Sequence, residues 1–371
     1  MSLVKPLPIW RIFGIQINID FSWFIIFFLL TYTLAEYFYP YFYPGHSFFS
    51  YIFFGAVSAV LLFVSVLLHE LSHSLVAIKY GLAVKEINLF VFGGIAMIED
   101  EPPSPKAEFL IAIAGPICSF ILSLFFFLIA YFYPSDDLFN GLINYLMYAN
   151  FAIAVFNLVP AFPLDGGRIL RAFIWSKKDL LTATKITAFT GKAFGYFLML
   201  LGFLSIVKGS FISAAWYFFL GIFIKFAAES SFQQTKISAV LSQYKVEMFM
   251  QTMKPLLYND TVYTLMTTYY PFYRVSVYPV IGQDGKIYIV DVNDALKVPQ
   301  VSWQSTYVIQ IAKPLTVYVS PYDTLTKAYK IMNKYGLDEL PVIYKNTVLG
   351  VIKRQSIETV LERFMIEERE Q

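Results

Sequence analysis

The chain has 371 residues, of which 57% are hydrophobic, 19% aromatic and only 15% charged. Apolar content this high excludes a disordered chain, and a single cysteine, Cys118, excludes a disulfide-built scaffold. With 28 basic against 26 acidic residues the net charge is +2, so nucleic-acid binding has no bulk electrostatic support and no such partner is expected.

Taken in chain order, six segments are long and apolar enough to cross a bilayer as helices, which takes roughly 20 residues. They cover about 19–38, 51–79, 107–133, 141–162, 187–207 and 211–228. The first reads as a retained span rather than a cleaved signal. Lys5 and Arg11 precede it, and the connection 39–50 has no Lys or Arg. Lys79, Lys85 and Lys106 follow the second span, and the connection 134–140 again has none. Arg168, Arg171, Lys177, Lys178 and Lys185 follow the fourth, and Lys208 alone separates the last two. This alternation predicts a multi-pass protein of the plasma membrane with both termini in the cytosol.

Two stretches break the helical pattern. In 84–98, Val84, Glu86, Asn88, Phe90 and Phe92 alternate with Lys85, Ile87, Leu89 and Val91, which is strand periodicity closing on a Gly93-Gly94 bend. A strand or hairpin at the membrane edge is expected there, shielded by protein or lining a cavity. The acidic run Glu99-Asp100-Glu101 before Pro102-Pro103 reads as solvated. Beyond about 230 the patterning becomes soluble and repeats: Lys254-Pro255-Leu256 is echoed by Lys313-Pro314-Leu315, and Tyr278-Pro279-Val280-Ile281 by Leu340-Pro341-Val342-Ile343. A two-copy repeat of about 60 residues, each strand–helix–strand–strand–helix, indicates a paired module. The expected division is a membrane domain, 1–230, and a cytosolic domain, 231–371, with repeats at about 246–298 and 308–366.

The chemistry concentrates in His69-Glu70-Leu71-Ser72-His73. On a helix, residues four apart share one face, so two neutral imidazoles can take adjacent vertices of a zinc tetrahedron. The intervening Glu70 is then close enough to take a proton from water and later protonate a leaving amine. The motif lies inside an apolar span, where an ionisable group costs roughly 2.5–3.5 kcal/mol and is a functional candidate by default. The plain alternative is a histidine pair at a helix interface. A catalytic zinc needs a third protein ligand. His46 lies in the opposite connection, which leaves Asp165 in the run Asn157 to Arg168 as the best candidate. Pro160 and Pro163 interrupt the helix, and Gly166-Gly167 permits a tight turn that can re-aim a carboxylate. Its alternative is an ion pair of Asp165 with Arg168 or Arg171.

With these residues in view the chain resembles the site-2 proteases, the intramembrane zinc metalloprotease family. The resemblance rests on His69-Glu70-x-x-His73 in one span, the Asn157…Pro160…Pro163-x-Asp165-Gly166 run in another, and Gly93-Gly94 between them. The C-terminal repeats resemble paired cystathionine-beta-synthase (CBS) domains, found on one subgroup. The implied fold is a polytopic α-helical membrane protein of about six transmembrane helices, with a small membrane-edge β element and a C-terminal α/β CBS pair. The resemblance implies one zinc per chain on His69, His73 and Asp165, with Glu70 as general base and acid. Asn157 would hold the peptide or polarise its carbonyl, with an interhelical hydrogen bond the equal alternative, and the strand at Gly93 and Gly94 would clamp substrate by strand addition. Helices 187–228 would supply a lateral gate. The implied activity is hydrolysis of peptide bonds within or near transmembrane segments of membrane-tethered, regulatory proteins.

The resemblance departs at Ala114-Gly115-Pro116-Ile117-Cys118-Ser119, where Ser119 stands in place of an Asn common in the family; a hydroxyl keeps hydrogen-bonding capacity. Cys118 reads as a small packed residue. In the repeats, only Asp294 matches the carboxylate that such domains direct at a ribose, so an adenosine nucleotide and a folded homodimerisation module are both open readings. Asp323 and Asp338-Glu339 read as turn or solvated residues. A competing function is a CBS-regulated transporter or channel using His69, Glu70 and His73 as an ion site, although no inverted membrane repeat is evident. An inert membrane scaffold is the third.

Overall fold

The computed structural model describes residues 6–91, 93–98 and 101–370; Lys5, Phe92, Glu99 and Asp100 lie outside the described residues. The chain divides into two compact units, Met1–Phe232 and Gln233–Gln371.

In the first unit the chain opens not with a span but with a hairpin, β1 (Leu7–Ile12) and β2 (Ile15–Ile19), turning through Phe13 and Gly14 at positive φ. The signal was present: Ile15, Ile17 and Ile19 alternate with Gln16 and Asn18. Helix α1 (Phe21–Thr33) follows, capped by the Asp20 side chain, and continues through a π-helical segment, Leu34–Phe38, into α2 (Tyr39–Phe42). Then come α3 (Phe48–Lys79), β3 (Val84–Phe90), β4 (Gly93–Ile98), α4 (Pro105–Phe132) and α5 (Leu138–Asn157). A short helix, α6 (Asp165–Trp175), precedes α7 (Leu180–Val207) and α8 (Phe211–Leu241). Among the described residues six helical stretches are long and apolar enough to cross a membrane, beginning at Phe21, Phe48, Pro105, Leu138, Leu180 and Phe211. The protein is an integral membrane protein.

The fourth span stops at Asn157 rather than near 162, because Pro160 and Pro163 cannot continue a helix. The strands form one sheet in the order β1-β2-β3-β4, with β2 and β3 parallel and the other pairs antiparallel. Its apolar face, Ile15, Ile17, Ile87 and Leu89, packs on Leu71 of α3. Gly93 and Gly94, expected to end the strand, instead open β4. Among the described residues β4 pairs with β3 and closes the sheet order at one end.

In the second unit two sheets correspond to the two repeats. One holds β6 (Leu256–Leu257), β7 (Val277–Ile281), β8 (Ile287–Asp291) and β9 (Lys313–Pro314). The other holds β10 (Glu339–Tyr344), β11 (Thr347–Lys353) and β5 (Gln251–Thr252). Each repeat lends its first strand to the other's sheet: Gln251 pairs with Val351, and Lys313 with Ile289. Lys313 is therefore the counterpart of Gln251, and the Lys-Pro-Leu echo is slightly out of structural register. Glu339, expected to be a solvated or turn residue, is a tie between repeats. Its carboxylate accepts from the Ser276 N–H at 2.7 Å and the Val277 N–H at 3.1 Å. Burial pushes this carboxyl up, against the opposing pull of those two bonds.

Candidate metal centre

His69 and His73 lie one turn apart on the buried face of α3, both about 4% exposed. Asp165 is the first residue of α6, where the unpaired N–H groups of a helix start favour a carboxylate. The loop that delivers it folds tightly: a Cβ at Gly166 would overlap the Leu158 and Val159 carbonyls, and one at Gly167 the Phe162 backbone. The Phe162–Pro163 bond in this loop is cis.

The three side chains converge. The Nε2 atoms of His69 and His73 are 3.1 Å apart, and each is 3.2 Å from Asp165 Oδ2. Zinc bonds of about 2.0–2.1 Å imply tetrahedral edges of about 3.3–3.4 Å, so the triangle has the size of three donors around one small cation. The outer nitrogens support this. His73 Nδ1 lies 2.6 Å from the Ile111 carbonyl, which only accepts, so the proton sits on Nδ1 and Nε2 presents a lone pair. His69 Nδ1 lies 2.9 Å from Ser119 Oγ and, with its proton there, presents the same lone pair. Two such lone pairs and a carboxylate oxygen repel one another unless a cation lies between them. Gly115 leaves the room, because a Cβ there would overlap both Nε2 atoms. Among the described residues these three form the cluster of His, Cys, Asp and Glu side chains able to hold a metal.

Glu70 sits beside this cluster in a cavity of about 610 Å³ that is lined mainly by apolar side chains. Asn157, Gly93 and Gly94 line the same cavity, so the structure brings every expected membrane-site residue together. Gly94 lies against Glu70 so closely that a Cβ would overlap the Glu70 Cγ. Ile26 and Leu30 of α1 and Trp216, Leu220 and Ile224 of α8 form further walls. Of the two helices expected as a gate, α8 lines the cavity. The Gly191 position of α7 packs on the Phe162 carbonyl in the Asp165 loop.

Asp294 stands apart in the second unit. Its carboxylate bonds to Lys297 and Lys313, both at 2.7 Å, and these partners hold it down to about 2. Sequence reasoning undervalued Ser119. Its signal was spacing: Gly115 and Ser119 share a helix face, one giving space and the other orienting a ring.

Comparison with known proteins identifies the family. The model of peptidase family M50 matches residues 57–143 and 135–202, and the CBS domain model matches 309–363. A relative in Synechocystis sp., sll0528, which carries the name of a zinc metalloprotease, is 30% identical over 93% of each chain. The relative named Rip3 in Mycobacterium tuberculosis, also named as a zinc metalloprotease, is 30% identical over 98% of this chain and 95% of its own. The site-2 protease of Methanocaldococcus jannaschii is 36% identical over 61% of this chain and 94% of that one, with a TM-score of 0.45. The chain belongs to peptidase family M50, the site-2 protease family of membrane-embedded zinc metalloproteases. It is a member that carries a CBS module after its membrane domain.

Proposed function

We propose that His69, His73 and Asp165 hold one zinc per chain and that Glu70 is the general base and acid of peptide hydrolysis. The observation that carries this reading is the donor triangle, with the outer nitrogens of both histidines tied back and Glu70 facing the adjoining cavity. Bound zinc would supply Lewis-acid polarisation of the scissile carbonyl and of water. Glu70 takes the proton of the attacking water and passes it to the leaving amine. Asn157, at the end of α5 on the same cavity, is a side-chain amide donor for the substrate carbonyl.

The substrate is a transmembrane protein of the same bilayer, membrane-tethered and regulatory in kind. A helical substrate hides its carbonyls in internal hydrogen bonds and must unwind before hydrolysis. Unwinding frees polar backbone in a medium with few partners. The outer edge of β4, beginning at Gly93 and Gly94 at the end of the sheet order, offers those partners and holds the peptide extended. The distribution of Lys and Arg favours an orientation with both termini cytosolic, and the plasma membrane is the proposed location.

For the CBS pair we propose an adenosine-nucleotide site with Asp294 toward the ribose, which requires exchange of its bonds to Lys297 and Lys313. The module is also the proposed contact for a homodimer. Heat and a thermal shift on titration with ATP or AMP test the nucleotide, and their absence sinks it.

The central experiment compares membrane-protein fragments in cells carrying the native protein with those carrying Glu70→Gln. The variant is expected to bind zinc normally while cleavage falls by about 10²–10⁴ or more, since only the proton acceptor is removed. Undiminished cleavage would remove Glu70 from its role.

A further inference from the structure

One face of α4 touches all three members of the donor triangle or their supports. Residues 108, 111, 115 and 119 follow a helical stripe. The Ile111 carbonyl holds His73, Ser119 holds His69, and Gly115 leaves the space between. Glu108, the first of the stripe, is fully buried and accepts from Arg171 Nε at 2.6 Å, with a second contact from Arg171 Nη2 to the same oxygen. Arg171 is itself 4% exposed and belongs to α6, the helix that Asp165 begins.

Arg171 has two further partners. Its Nη2 lies 3.6 Å from Glu101, on the segment between β4 and α4. Its guanidinium carbon lies 5.3 Å above the ring of Phe162, in the loop that leads to Asp165. A buried ion pair is a poor means of gaining stability, because desolvation offsets most of the attraction. What it does supply is direction: two guanidinium nitrogens converging on one carboxylate oxygen fix both distance and angle. Asp165 and Arg171 point from different sides of α6, so fixing Arg171 on α4 fixes the rotation of α6 and the aim of its first residue.

We infer that the Glu108–Arg171 pair is a positioning element that aims Asp165 at the metal. The inference rests on the zinc reading above. Neither residue touches the donor atoms; both act through the placement of α6. Together with Ser119 and Ile111, they make α4 the helix that orients every proposed ligand.

The test uses cobalt as the probe in the full-length protein in detergent. Arg171→Met alone strands a buried carboxylate and invites misfolding, so the main variant is Glu108→Leu/Arg171→Met, which replaces the pair with apolar groups. It is expected to keep the circular dichroism and melting of the native protein. Cobalt affinity is expected to fall about ten- to hundredfold, as for lost outer-shell support, with a weakened visible absorption band approaching that of Asp165→Asn. If the double variant fails to fold, Arg171→Lys, which keeps the charge without the fork, is read the same way and is expected to show a smaller loss. Affinity within about twofold of native with an unchanged band, in the folded variant, overturns the inference. Native protein that binds neither cobalt nor zinc is a distinct result, and it overturns the metal reading itself.

Discussion

At the scale of single residues, the site depends on what is absent as much as on what is present. Gly115 matters because it has no side chain: any Cβ there would stand where the two imidazole nitrogens face Asp165. Gly115→Ala is therefore expected to abolish metal loading while leaving a helical, membrane-inserted protein, as zinc analysis of purified samples would reveal. Near-stoichiometric zinc in that variant would mean the donors can spread without cost. Such roles were only partly legible in the sequence. His69, Glu70 and His73 announce themselves through spacing, because helical periodicity alone puts four-apart residues on one face. Asp165 was reached through Pro and Gly around it. Ser119 was visible only as a departure from a pattern, and its partner could not be known without the crossing of α3 and α4.

At the scale of elements, the sequence pattern located the spans well and their ends less well. Apolar runs identify helices because lipid leaves the backbone no other partner, but ends depend on caps and loops. Helix α5 stops where proline forbids continuation, and α7 starts at Leu180 after the Asp179 cap, ahead of the apolar run. The hairpin β1–β2 is hard to read from the sequence because its apolar residues merge with the first span. Its importance lies in order: β2 lies beside β3 in parallel, leaving β4 at the rim beside Glu70. Gly94→Ala places a methyl group against the Glu70 side chain. It is expected to lower kcat about tenfold or more while zinc content stays normal, because displacing a general base by a fraction of an ångström costs rate rather than metal. Equal loss of zinc and rate would show that the strand supports the metal instead.

At the scale of the molecule, two units with different solvents are joined in one chain. The membrane unit is built from apolar helices around a polar cluster. The second unit is two repeats that exchange their first strands, so neither sheet is complete within one repeat. Glu339 ties the repeats by accepting two backbone N–H bonds, and Asp294 ties them by holding Lys313. Because Asp294 is held down to about 2, its contribution is present above the unfolded carboxylate value of about 3.9 and is lost as pH falls toward 2. Lys313 is largely exposed, so solvent screens the pair and its contribution is small. Asp294→Asn is expected to lower the stability of the second unit by that small amount at pH 6, with the deficit shrinking as pH falls through about 2 and reduced by salt. A deficit undiminished at low pH would show that the side chain acts through packing rather than charge.

By itself the sequence determined the membrane class, the presence of a repeated soluble module and the histidine pair with its glutamate. Each of these depends on composition or on the period of a single helix, which are local properties. Only the tertiary structure decided that Asp165 meets both rings, that Ser119 and Ile111 orient them, and that Glu108 holds Arg171. Those contacts join residues from α3, α4 and α6 that are far apart in the chain. Their distances follow from how helices cross, and no local pattern carries that information.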